Sequence, residues 1–189
     1  MPRKKSYIEE EVIEKAMHTF WKNGYEATSV RDLEREMEIN QFSIYASFTN
    51  KDGVFLESVK CYKGKAKKEI LNKLIDSNNG VNSIKDYFKD FLNFVKDDNE
   101  GYKGCLLTNT INELGDKANG QIVKEIGQFS TLIRNTFLEK LATNTVKSKE
   151  TINKQANYLI VALQGLSVAS KMLSKEQLDD FIEVTFNNM

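Results

Sequence analysis

Gln41 and Phe42 open a short stretch, QFSIYASF, and each carries a group suited to the edge of a base pair. A glutamine carboxamide can pair with adenine, and a phenyl ring can lie against the methyl group of thymine. Ten residues after Gln41, Lys51 begins another helical run. The helix macrodipole disfavours a cation there, but a lysine beside free backbone amides makes a phosphate site, so bound DNA would offset the local conflict. Tyr45 and Ala46 share the outward face with Gln41 and Phe42, and Ser43 lies among them. The same spacing would also serve a plain helical hairpin, with Tyr45 packed between helices.

These side chains need a frame to hold them. Val30, Leu33 and Met37 recur at helical spacing, and Ser29 with Asp32 forms an N-cap pair, so a helix is expected from about Ser29. A turn at 38–40 follows, after which Ile44 and Phe48, one turn apart, face inward. A helix that gives only two residues to a core needs neighbours, and a helix-turn-helix supplies them: its first helix crosses the phosphate backbone and its second enters the major groove. A preceding helix over residues 6–23 is expected to brace this unit through Ile8, Val12, Ile13, Ala16, Met17 and Phe20, with Gly24 as a left-handed C-cap. The basic residues Arg3, Lys4 and Lys5 form an arm that could reach phosphates or a minor groove.

The first fifty or so residues resemble the TetR family of one-component transcriptional regulators. The pattern runs through NGYEATSV at 23–30, RDLEREMEIN, and SIYASFTNKDGVFLESV at 43–59, with Gly24, Tyr25, Thr28, Ser29, Ile44, Tyr45, Phe48 and Lys51 at family spacing. The resemblance implies a sequence-specific DNA-binding dimer, usually a repressor, whose C-terminal domain takes a small-molecule effector that releases a palindromic double-stranded operator. It divides the chain into a helix-turn-helix domain, 1–50, and a helical ligand-binding and dimerisation domain, 51–189. By resemblance Thr28, Ser29, Tyr45 and Lys51 match phosphate-facing positions, and Gln41, Phe42 and Ala46 match positions near bases. The family often has glycine where Glu38 and Phe42 stand, and a bulky polar residue where Ala46 stands, which leaves the operator sequence open.

The whole composition suits a soluble all-α protein: 189 residues, 40% hydrophobic, 29% charged, a single proline at position 2 and ten glycines largely between periodic segments. The formal net charge is zero, and acidic side chains slightly outnumber basic ones within residues 1–60, so DNA affinity must come from local placement of cations and helix N-termini. Two cysteines, Cys61 and Cys105, without a disulfide framework or secretory signal suit a cytoplasmic protein. The longest apolar run, at 158–169, is interrupted by Gln164 and is too short for a membrane span. With His18 the only histidine, neither a histidine-based metal site nor a cofactor is implied.

About nine helices are expected. A long fourth helix over 52–77 carries Val54, Phe55, Val59, Tyr62, Ile70, Leu74 and Ile75. The fifth, from about Ser83 to Val95, has an aromatic face with Tyr87, Phe88 and Phe91, suited either to core or to a pocket wall. In GCLLTNTINELG, 104–115, Leu107, Ile111 and Leu114 suit the core, while Cys105, Thr108, Asn109 and Asn112 share another face. That segment resembles the family helix bordering the effector cavity. The candidate ligand-binding residues are therefore Tyr62, Phe88, Phe91, Cys105, Asn109, Asn112 and Phe129. Cys105 suits either a reactive sensor or a buried inert thiol. The seventh helix, 120–143, has a stripe of Ile122, Val123, Ile126, Phe129, Leu132, Ile133, Phe137 and Leu141. The last two helices, 150–173 and a final one with Leu178, Phe181, Ile182 and Phe186, resemble the pair through which the family dimerises.

A helical enzyme would be the rival reading, with Asp97, Asp98 and Glu100 as a hard-cation loop. No second acidic motif, nucleophile–base pair or phosphate-binding glycine loop accompanies it, so no enzyme is expected. A non-DNA-binding helical interaction module is the other alternative.

Overall fold

The computed structural model describes residues 7–96, 104–143, 146–187 and 189. Nine helices, with no strand among the described residues, form the fold. They are α1 Glu9–Asn23, α2 Val30–Met37, α3 Gln41–Phe48, α5 Val81–Val95, α6 Leu106–Leu114, α7 Gly120–Leu141, α8 Lys149–Ala169 and α9 Lys175–Asn187, with α4 a composite of Lys51–Ala66, a π-helical turn at Lys67–Leu71 and a last turn at Asn72–Asp76. The all-α expectation and the helix count hold. The basic arm 3–5 and the acidic cluster of Asp97, Asp98 and Glu100 lie outside the described residues.

α4 packs on both α1 and α7, with Phe55 and Tyr62 against α1 and Lys63 paired with Glu125 of α7. One continuous core results, because the inward stripes of α1 (Ala16, Met17, Phe20), α4 (Val54, Phe55, Val59, Tyr62) and α5 (Ile84, Phe88) are almost wholly out of water. Phe55 meets Phe20 edge-on at 4.7 Å, and Trp21 meets Tyr62 edge-on at 4.8 Å, so aromatic packing joins α1 to α4. The far end of α4 is held by Lys140 of α7, whose buried ammonium donates to the carbonyls of Ile75 at 2.8 Å and Ser77 at 2.6 Å. A cation among the terminal carbonyls of a helix satisfies acceptors that no intrahelical amide can reach.

Several expected core positions prove to be on the surface. Ile8 lies before α1, which starts at Glu9, and is 59% exposed. Ile75, Ile111, Val123, Leu132 and Phe181 are also exposed. Ile111 borders an open cavity, and for the others the pattern alone does not show how far the neighbouring helix extends. Gly24 has φ 86° and ψ 169°, a conformation open essentially to glycine but not the left-handed helical cap expected.

Candidate nucleic-acid interface

The α2–α3 unit is built from local caps reinforced by distant anchors. Ser29 and Asp32 form a reciprocal capping box at the start of α2: the Asp32 amide donates to Ser29 Oγ at 3.2 Å, and the Ser29 amide donates to Asp32 Oδ2 at 3.0 Å. The hydrogen bonds from Ser29 hold the Asp32 carboxyl below the ordinary aspartate value, with Arg35 adding to the effect. Asn40 caps α3 by accepting the Ser43 amide at 2.9 Å, and Glu34 of α2 accepts the amide of Gln41. The Tyr7 hydroxyl lies 2.6 Å from Ser47 Oγ and 3.5 Å from the Ser43 carbonyl, bracing the back of α3. At the other end the Phe48 carbonyl passes so close to Gly53 of α4 that a Cβ there would sit 1.8 Å from it, so only glycine permits this α3–α4 junction.

Within this frame Ile44 and Phe48 are buried, while Gln41, Phe42, Tyr45 and Ala46 are exposed together. At about 100° per residue, Phe42 falls at the middle of that face, between Tyr45 and Ala46. It is 82% exposed. Ser43 is half-buried at the edge. Tyr45 faces outward instead of packing between helices, 40% exposed.

Of the positions matched to phosphate, Ser29 is exposed and Lys51 half-exposed, with Lys51 Nζ 4.2 Å from the centre of the Tyr25 ring. The Tyr25 hydroxyl donates to Asp52, and burial together with that neighbouring carboxylate raises its pKa well above the ordinary tyrosine value. Thr28 corrects the expectation: its side chain is wholly buried, with its hydroxyl donating to the Gly24 carbonyl at 2.6 Å. It shapes the α1–α2 turn and does not face a phosphate. Tyr7, Glu34 and Gly53 had no role in the sequence reading. Asn40, a capping residue type directly before a helical run, was the one signal available for α3.

A second feature lies at the other end of the molecule. A cavity of about 380 Å³ between α5, α6, α7 and α8 is lined mainly by apolar side chains, including Phe91, Ile126, Phe129 and Ile133, with Thr108, Asn112, Ser130 and Gln164 as polar groups. The structure brings four of the candidate ligand-binding residues together here: Phe91, Cys105, Asn112 and Phe129. Tyr62 and Phe88 are core residues, 1% and 0% exposed, packed against Trp21 and against Phe137 and Phe186 respectively. Asn109 faces a different cleft, beside Trp21 and Glu113. The contribution of α8, including Gln164 and Val168, was not foreseen, because an exposed glutamine in an apolar helix reads as a surface residue until the facing helices are known.

α6 joins the two features. Thr108, Ile111 and Asn112 face the cavity. The neighbouring Glu113 accepts the backbone amides of Tyr25 at 2.9 Å and Glu26 at 2.7 Å, in the turn that leads into α2. Just before α6, the Gly104 carbonyl accepts from Trp21 Nε1 at 2.8 Å. Both ends of α6 are thus tied to the end of α1.

Residues 12–58 match the family model described as bacterial regulatory proteins, tetR family. The HTH-type transcriptional repressor ComR of Escherichia coli K12 is 28% identical over 175 residues, covering 89% of this chain and 82% of that protein. The biofilm operon icaADBC HTH-type negative transcriptional regulator IcaR of Staphylococcus aureus is 28% identical over 133 residues, covering 65% of this chain and 69% of that protein. The fold is shared with a cysteine mutant of the TetR family transcriptional regulator CifR, solved in complex with 26-base-pair operator DNA, at a TM-score of 0.81 and 21% identity over 98% of each chain.

Proposed function

This chain belongs to the tetR family of bacterial regulatory proteins, and from that premise we propose that it is a dimeric, sequence-specific DNA-binding repressor released from its operator by a small molecule. The observation that carries the proposal is the outward face of α3, where Gln41, Phe42, Tyr45 and Ala46 are presented to solvent by a helix whose other residues are fixed from three sides. ComR and IcaR are named as a repressor and a negative regulator, which supports the same sense of action here, and CifR was solved on operator DNA, which supports the DNA partner.

The functional division follows α4. Residues 1–50 read DNA, and 51–189 bind the effector and dimerise. Two reading helices must meet successive major grooves roughly 34 Å apart, so a second copy is required. Its place is the outer face of α8 and α9, where Tyr158, Val161 and Phe181 are exposed around an apolar groove floored by Ala162, Leu166 and Leu178. The effector occupies the cavity beside α6 and is largely apolar, with one or two groups for Asn112, Thr108 or Gln164 to bind. It acts by favouring a conformer in which α6, through Glu113 and Trp21, carries the α1–α2 turn out of the DNA-competent position.

The test is selection of bound sequences from a pool of random duplexes at two salt concentrations. A recovered palindrome, bound with strong salt dependence, is expected. Sequence-blind binding at both concentrations would refute the reading and favour a helical module that uses this fold for another partner.

A further inference from the structure

We propose that the base pairs beneath α3 in each operator half-site are A·T pairs, read chiefly through the 5-methyl groups of thymine by Phe42, with Gln41 taking adenine. The inference rests on the DNA-binding reading above and adds the chemistry of the site it recognises.

α3 contains no lysine, arginine, aspartate or glutamate. Guanine is most often read by arginine or lysine on its O6 and N7, and the cytosine amino group by a carboxylate. A G·C pair therefore finds neither of its usual partners on this helix. What α3 offers is the carboxamide of Gln41, the apolar surfaces of Phe42 and Ala46, and the ring and hydroxyl of Tyr45, all exposed. In the major groove the thymine methyl is the one apolar group on a base edge. A phenylalanine ring left 82% in water at the centre of the reading face gains most by covering it.

Among the described residues, the charged groups nearest this face have partners of their own, including the Glu34 carboxylate, which accepts the Gln41 amide. The guanidinium of Arg35 on α2 is engaged by Asp32 at 3.1 Å and Glu36 at 2.9 Å, and Lys15 is paired with Glu38 at 2.7 Å. Arg31, exposed on α2, and Lys51, at the start of α4, flank the footprint and are placed for phosphates or for bases outside it. The contacts of α3 with Tyr7, Glu34 and Gly53 fix where its backbone sits, and so the point from which Phe42 projects, so methyl contacts discriminate by position as well as by type.

The experiment takes the duplex selected from the random pool and replaces each conserved half-site thymine in turn with deoxyuridine, which removes only the methyl group. Burial of one such group corresponds to about a fourfold change in affinity. Wild-type protein is expected to lose roughly that factor at one or more thymines per half-site. Phe42→Ala should bind more weakly overall and lose the distinction between thymine and deoxyuridine. Because Phe42 is exposed, its circular dichroism and thermal midpoint should match wild type. Gln41→Ala should keep the methyl sensitivity while tolerating replacement of an adenine. A specific site with G·C pairs at its conserved core, or one bound equally with deoxyuridine throughout, would overturn the inference while leaving the DNA-binding reading intact. Absence of any sequence preference would remove both.

Discussion

Replacing Glu113 with alanine removes the two hydrogen bonds that tie α6 to the α1–α2 turn, with little other change. The carboxylate accepts from Tyr25 at 2.9 Å and Glu26 at 2.7 Å, and it is exposed at the edge of the cleft. Hydrogen bonds to a charged group contribute roughly 1.5–3 kcal/mol each when shielded. At this exposed site water takes over as partner for the freed amides, which brings the figure to about 1 kcal/mol each, the middle of the range for hydrogen bonds generally. Alanine is a slightly better helix former than glutamate and returns a few tenths of a kcal/mol. The expected net loss is about 1–2 kcal/mol, visible as a lower urea midpoint at constant slope. Hydrogen exchange localises the effect: the Tyr25 and Glu26 amides should exchange on the order of tenfold faster, with those in the α8 interior unchanged. Glu113→Gln, which keeps one acceptor oxygen, should fall between. An unchanged midpoint together with unchanged exchange at Tyr25 and Glu26 would show that the clasp contributes nothing, and the coupling route through α6 would fail with it.

Four further outcomes are expected. Lys140→Met keeps the buried stem but leaves the Ile75 and Ser77 carbonyls without their donor, which should cost about 1–3 kcal/mol in urea unfolding; a loss below the measurement error would mean that water caps α4 equally well. Thr49 adopts φ 71°, rare for a β-branched residue, so Thr49→Gly should stabilise the fold by about 1 kcal/mol, and a lowered thermal midpoint would contradict that. The Asp32 carboxyl, held low chiefly by Ser29, contributes stability that is present above the ordinary aspartate pKa and lost as pH falls through its depressed folded value; its NMR titration midpoint should move up in Ser29→Ala, and no movement would refute the cap as the cause. Lys51→Ala should weaken binding similarly across DNA sequences and lower the salt slope by about one; an unaltered slope would assign Lys51 to Tyr25 alone.

α3 was legible in advance because its logic is local. Ser29 and Asp32 are three residues apart, Ile44 and Phe48 one turn apart, and a face not used for the core has to point outward. Most helix ends lie within a few residues of expectation for the same reason. The cavity was only half legible. Phe91, Cys105, Asn112 and Phe129 meet there, while Tyr62 and Phe88, equally aromatic or apolar and equally periodic, went to the core.

By itself the sequence determined the helices, the Ser29–Asp32 cap, the exposed face of α3 and the family pattern, since these depend on interactions within one or two turns. Only the tertiary structure decided which apolar stripes enclose a cavity, that Thr28 turns inward, that Gly53 must have no side chain, and that Glu113 grips amides 87 and 88 residues earlier in the chain. Those outcomes depend on where separate helices come to rest against one another, and a periodic pattern specifies that a face is buried without specifying what buries it.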